Sequence, residues 1–155
     1  MTDTAQHNEN ETGDAKGREA IPEIAKLIRD IDICMLATRA PDGELHARPM
    51  SNNGKVEWDG DSWFFAPAEG RLVAEIEQNP EAVATYRGDD RFAWVAVSGT
   101  AEVVDDAAQK RKLWLDELER WFPNGPDDPN VALVRVASTG AQWWTDEGDG
   151  IADLS

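Results

Sequence analysis

The sequence predicts a mainly β protein with flanking α-helices, folded as an antiparallel Greek-key barrel. Short apolar runs of strand length recur along the chain, separated by turn signals rich in Gly, Pro, Asn and Asp. Tight turns join neighbouring strands, so the sheet is expected to be antiparallel. A closed or partly closed barrel also removes most of the exposed edges that so many short strands would otherwise leave. The 155 residues suit one domain.

The elements are predicted in the order helix, three strands, helix, two strands, helix, two strands. Three segments with apolar residues at helical spacing predict helices near residues 19–30, 69–78 and 106–122. Strands are expected at 33–39, 45–50, 63–65, 82–87, 91–104, 131–137 and 141–145.

Turn and cap residues support these boundaries. Gly43 supplies the conformational freedom of a turn between the first two strands, and Asp106 is a helix N-cap. Gly99 falls inside a long strand, which indicates a bulge or a bend. We expect a disordered acidic tail at 1–17, the barrel domain at 18–146 and an acidic C-terminal tail at 147–155.

The net charge of the chain limits the kinds of partner that it can bind. The 31 acidic and 15 basic residues leave a net charge of −16, which argues against nucleic acid and anionic membranes as partners. No apolar run approaches the roughly 20 residues that span a bilayer, and the N-terminus lacks an apolar signal segment, so we expect a cytoplasmic protein. Only 5 lysines among so many carboxylates indicate a protein of a salt-loving organism. A merely acidic protein of an ordinary organism is the alternative.

The sequence contains few residues with catalytic or metal-binding potential. Cys34, the single cysteine, lies in an apolar run and is interpreted as a core residue, with a reactive thiol as the alternative. The two histidines, His7 and His46, are far apart, so no metal site is expected. Neither a nucleotide-binding glycine motif nor a recognisable hydrolytic triad is present.

One strand-to-helix turn has the features of an anion site. The run "WFFAPAEGR" passes from a strand into a helix whose first turn carries Arg71, and free N–H groups at a helix start favour phosphate. Arg48 would offer a second guanidinium if its hairpin lies alongside. The alternative is that both arginines pair with surface carboxylates.

Several motifs together resemble the general stress protein branch of the pyridoxamine 5′-phosphate oxidase-like family. They are "HARPM", "DSWFFAPAEGRLVAEIEQNP", "VAVSGTAEVVDD", "WFPNGPDDP" with the preceding Leu113-Trp114, and "AQWW", within residues 20 to 145. The resemblance implies an FMN-binding split barrel that forms a homodimer with the flavin at the subunit interface. The cofactor contacts that it implies are Arg48, Pro49, Met50, Phe65, Ala66, Arg71, Leu72, Trp143 and Trp144.

The resemblance implies a flavin-binding protein, in which the isoalloxazine ring would support oxidoreductase chemistry. Ala66 and Gly70 lack hydroxyl groups that the family carries there, and Leu72 stands where the family has a lysine. Two alternatives therefore stay open: a non-catalytic stress-response module with weakened or lost FMN binding, and an enzyme that uses another cofactor, FAD or a deazaflavin. His46 is either a proton donor or a structural residue. Pyridoxamine phosphate oxidase activity itself is not expected.

Overall fold

The structure is a computed structural model that describes residues 15–155; the predicted tail at 1–17 falls almost wholly outside them. Eight strands and three α-helices follow one another along the chain. They are β1 (Ala15–Lys16), α1 (Ile21–Ile28), β2 (Ile33–Arg39), β3 (Leu45–Ser51), β4 (Asp61–Pro67), α2 (Arg71–Gln78), β5 (Glu81–Arg87), β6 (Ala93–Val104), α3 (Ala107–Leu113), β7 (Val131–Thr145) and β8 (Gly148–Asp153). Short 3₁₀ helices lie at Arg18–Ala20 and Asp116–Arg120.

The predicted antiparallel split barrel is confirmed. The strand order is β1-β8-β7-β6-β5-β2-β3, and β4 pairs with β7 outside this path. Every ladder is antiparallel except the two-residue pairing of β1 with β8. Within residues 15–155, no ladder joins β3 to β4, so the barrel is open between these two strands.

The two strands expected at 131–137 and 141–145 are one continuous strand, β7. The register between β6 and β7 shifts at Ser98 and Gly99, and the strand passes through this irregularity without ending. The irregularity predicted at Gly99 is thereby confirmed, although the extra residue is Thr139 on β7, opposite Ser98 and Gly99. A Cβ at this position would lie 2.5 Å from the carbonyl oxygen of Ala137, so only glycine fits the close approach.

The segment 147–155, expected as an acidic tail, instead contains β8. This strand pairs with β7 from Gly140↔Asp153 to Thr145↔Gly148. Ala152 and Leu154 are buried and hold the segment against the core. Its acidic residues alternate with these apolar ones, which is the pattern of a half-buried strand.

The single helix expected at 106–122 is interrupted. Asp106 caps α3 as predicted, its side chain accepting from the N–H of Gln109, but α3 ends at Leu113 and Trp114 is extended. Asn53 and Lys55 donate to the carbonyl oxygens of Leu113 and Trp114 at 3.0 Å. Because these contacts satisfy the carbonyls at the helix end, the chain turns and resumes as the 3₁₀ helix.

The core lies between the sheet and the helices. α1 contributes Ile24 and Ile28, and α2 contributes Val73 and Ile76. Cys34 is buried as predicted, and burial raises the pKa of its thiol to about 12. Among the helices of residues 15–155, none is long and apolar enough to cross a bilayer.

Candidate functional site

An open pocket of about 790 Å³ occupies the gap between β3 and β4. The first turn of α2 closes one end, and the 3₁₀ helix with the residues that follow it closes one side. The lining residues are Ile33, Arg48, Pro49, Met50, Ser51, Phe65, Ala66, Pro67, Gly70, Arg71, Leu72, Leu118, Trp121 and Phe122.

One side of the pocket is an aromatic wall, formed by Leu118, Trp121 and Phe122. The ring centroids of Phe122 and Trp114 are 6.3 Å apart. The Trp114 ring in turn packs edge to face against Phe65, with a centroid distance of 5.0 Å. Trp121, by contrast, is 58% exposed, and the Arg120 guanidinium lies over its ring. The wall therefore offers a large apolar surface held from behind by packed aromatic rings.

The end of the pocket at α2 offers few polar groups. Gly70 is the N-cap of α2, and no side chain there caps the helix. Ala66 and Leu72 are buried. Arg71 is exposed, and among residues 15–155 no hydrogen bond or ion pair engages its side chain. This end therefore presents uncapped backbone N–H groups and one available guanidinium.

Arg48 lines the pocket, but its guanidinium is engaged elsewhere. Nη2 donates to Oε1 of Glu75 at 3.0 Å, and Nη1 donates to Oγ1 of Thr38 at 2.7 Å and to the carbonyl oxygen of Leu36 at 3.2 Å. Glu75 is 2% exposed and sits on the inner face of α2. A buried carboxylate needs such a cation, so Arg48 neutralises Glu75.

His46 completes this polar cluster. Its Nδ1 lies 2.6 Å from Oε2 of Glu75, and its Nε2 lies 3.1 Å from Oε1 of Glu44. The hydrogen bonds to Glu75 and then Glu44 raise the pKa of His46. Burial alone would raise the pKa of Glu75, but hydrogen bonds from Thr38, His46 and Arg48 hold it at about 2.

The pocket brings together seven of the nine cofactor contacts implied by the resemblance. They are Arg48, Pro49, Met50, Phe65, Ala66, Arg71 and Leu72. Trp143 and Trp144 do not line it. Trp143 is 3% exposed in the core, with its ring against Gly150, and Trp144 pairs with Trp94 across the sheet. His46 lies outside the pocket, in the Glu75 cluster.

Sequence reasoning missed Glu75 and the role of the aromatic wall. Glu75 falls three residues after Leu72 and one before Ile76, on the apolar face of α2. A carboxylate on such a face is the signal that a buried cation faces it. Leu118, Trp121 and Phe122 carry the i, i+3, i+4 spacing expected for packing, and nothing local shows that Trp121 is left exposed at a pocket.

The pocket suits one part of a flavin better than the other. The apolar lining and the aromatic wall fit a planar isoalloxazine ring. For the phosphate, the pocket offers one exposed arginine, Arg71, and the start of the eight-residue helix α2. In residues 15–155, no group of three or more His, Cys, Asp or Glu is arranged to hold a metal ion.

Comparison with known proteins places this chain in a family. The family described as "Pyridoxamine 5′-phosphate oxidase like" matches residues 19–154. General stress protein 26 of Bacillus subtilis is 40% identical over 71 residues, which are 44% of this chain and 50% of that protein. The chain spans between half and two thirds of the length of the curated relatives that it matches.

Solved structures share the fold. A protein from Clostridium acetobutylicum related to general stress protein 26 superposes with a TM-score of 0.75 at 22% identity, covering 88% of this chain and 96% of that one. The general stress FMN/FAD binding protein from Xanthomonas citri superposes with a TM-score of 0.69 at 28% identity, covering 84% and 92%. The split barrel, its pocket and the sequence match lead to one conclusion: the chain belongs to the pyridoxamine 5′-phosphate oxidase-like family.

Proposed function

We propose that this protein binds a flavin in the pocket between β3 and β4. The observation that carries the proposal is the exposed ring of Trp121 in the wall of an apolar pocket of about 790 Å³. An exposed tryptophan at the mouth of such a cavity provides a stacking surface for a planar aromatic ligand. A relative that is 28% identical, from Xanthomonas citri, is described as an FMN/FAD binding protein.

The residues of this chain would bind and orient the ring. Trp121 and Phe122 would cover one face, and Pro49 and Met50 on β3 would border it on the opposite side of the gap. When bound, the flavin would supply hydride or electron transfer, so no side-chain acid or base is required by that chemistry. The neighbouring His46 is held by two carboxylates and serves the buried cluster.

We also propose that the protein is a homodimer whose second subunit completes the pocket. The outer face of β2, β3 and β6 exposes large apolar side chains. Ile33, which is 53% exposed, belongs both to this face and to the pocket lining. A second copy seated on the face would therefore cover part of the pocket opening as well as the apolar side chains.

Titration of the purified protein with FMN at high salt tests flavin binding, with flavin fluorescence as the signal. Loss of one stacking ring costs roughly 1–2 kcal/mol, so Trp121→Ala should weaken binding roughly tenfold. Phe92→Ala is the matched control, because Phe92 is 53% exposed and does not line the pocket. An unchanged affinity in Trp121→Ala, or no flavin binding by the unmodified protein, would contradict the proposal.

A further inference from the structure

A flavin mononucleotide has an apolar ring at one end and a phosphate dianion at the other, and a pocket can favour either end separately. A phosphate dianion is held tightly where several N–H or O–H donors and cations converge on it. Riboflavin carries the same ring and ribityl chain without that dianion. The contribution of the phosphate therefore depends on what the pocket offers at its polar end, where α2 begins.

The side chains around the start of α2 provide no hydroxyl or ammonium group, and the one hydroxyl of the pocket lining, that of Ser51, lies at the end of β3. Ala66, Pro67 and Leu72 are apolar, and Gly70 has no side chain. A Cβ at Gly70 would lie 3.2 Å from both the Cβ and the carbonyl oxygen of Pro67, so any side chain there is tightly placed. Leu72 is 6% exposed and packs in the core.

The two arginines of the pocket contribute little to an anion. The Arg48 guanidinium already donates hydrogen bonds to three acceptors. One of them is the buried carboxylate of Glu75, which requires the positive charge of the guanidinium as its counterion. Arg71 is exposed, and an ion pair in water changes an affinity by no more than about fivefold.

The field of the surrounding chain also disfavours a dianion. The net charge is −16, and the exposed Glu69 directly precedes Gly70. The 3₁₀ helix that leads to the aromatic wall adds Asp116, Glu117 and Glu119 to the acidic surface. Like charges around a cleft lower the local concentration of an anionic ligand, most strongly at low salt.

We propose that the pocket recognises a flavin of the riboflavin class, without a terminal phosphate, and selects it by its ring. This inference rests on the proposed function. The aromatic wall binds the ring. The phosphate meets only the free N–H groups at the start of α2 and the exposed Arg71, and it strengthens binding by less than tenfold. FMN would then bind in the same pocket as a larger and more negatively charged analogue of riboflavin.

Parallel titrations with riboflavin and with FMN test the inference in one buffer at high salt. The dissociation constants should differ by less than tenfold. A tenfold or greater preference for FMN would overturn the inference and leave the proposed flavin binding intact. Failure of both flavins to bind would overturn the proposed function, and the inference with it.

A matched pair of variants tests whether the phosphate end of FMN lies at the start of α2. Gly70→Ser adds a hydroxyl at the N-cap of α2, and Gly70→Ala adds the same Cβ without it, so any shared effect of crowding cancels. Relative to the alanine variant, the serine variant should bind FMN severalfold more tightly and riboflavin unchanged. Equal FMN affinities in the two variants would show that the phosphate end does not lie at α2, which would overturn the argument.

Discussion

The guanidinium of Arg48 on β3 and the carboxylate of Glu75 on α2 are joined, with Nη2 3.0 Å from Oε1. These two elements also carry two walls of the pocket, with Pro49 and Met50 on β3 and Arg71 and Leu72 at the start of α2. The ion pair therefore ties the hairpin edge to the helix. The separation of the two walls depends on it.

Glu75→Gln should destabilise the fold. The substitution removes the charge that Arg48 compensates and leaves a partly buried guanidinium unpaired, at a cost of about 3 kcal/mol in the free energy of unfolding. Chemical denaturation at constant high salt measures this value. Glu77→Gln is the control, since Glu77 is exposed on the same helix and should change stability by no more than about 0.5 kcal/mol. Equal effects of the two substitutions would contradict the role assigned to Glu75.

His46 should make stability depend on pH. The pKa of His46 is raised in the folded protein, so its contribution is complete below the ordinary value of 6.5 and is lost as the pH rises through the raised value. Glu75, with a pKa of about 2, stays ionised throughout this window. The melting temperature of the unmodified protein should exceed that of His46→Gln at about pH 6, and the difference should shrink towards about pH 9.

Glu77→Gln, the exposed control on α2, also serves as the control for this pH experiment. Its melting temperature should keep a constant difference from that of the unmodified protein between about pH 6 and about pH 9. A difference between the unmodified protein and His46→Gln that grows with rising pH would have the wrong sign for a raised pKa and would refute the assignment.

Met35→Glu should produce a monomer. Met35 is 42% exposed on the outer sheet face, beside Pro49 and Thr85 on the neighbouring strands, and a carboxylate there cannot be buried against a second copy. Light scattering at molar salt should give twice 17.1 kDa for the unmodified protein and 17.1 kDa for the variant. Phe92→Glu, in the bend that precedes β6 and not on a strand of the sheet, is the control and should remain dimeric. A monomeric unmodified protein would reject the proposed assembly.

Removal of salt should lower the melting temperature. The net charge of −16 repels itself within the folded chain, and at molar salt a Debye length of about 3 Å screens that repulsion. Thermal melts from molar to low salt, with the ligand absent, measure the effect. A melting temperature that stays level or rises as salt is withdrawn would favour the alternative of an acidic protein without adaptation to salt.

Local pattern was sufficient to predict most of the barrel. β2, β5 and β6 follow from short apolar runs between turn residues, and Gly99 inside a strand indicated the bulge. The interruption after α3 could not be predicted in this way. It depends on Asn53 and Lys55, which lie 60 and 59 residues from the carbonyl groups that they bind.

The candidate site was predictable in its members but not in their roles. Motif positions placed Arg48 and Arg71 near one another, and alternation along β3 puts His46, Arg48 and Met50 on one face. The direction in which the Arg48 guanidinium points depends on Glu75, whose helix packs against β2 only in the folded chain. A tertiary partner therefore decided which arginine was left available.

Pro49 has a consequence beyond the pocket that it borders. It lies on the last strand of the sheet path, beside the gap where β4 does not pair. An unpaired strand edge is a template for β-augmentation by a peptide and for intermolecular aggregation, and a residue without an N–H interrupts the row of donors that either process needs. The opening in the barrel is thus protected against added polypeptide while it stays accessible to a small molecule.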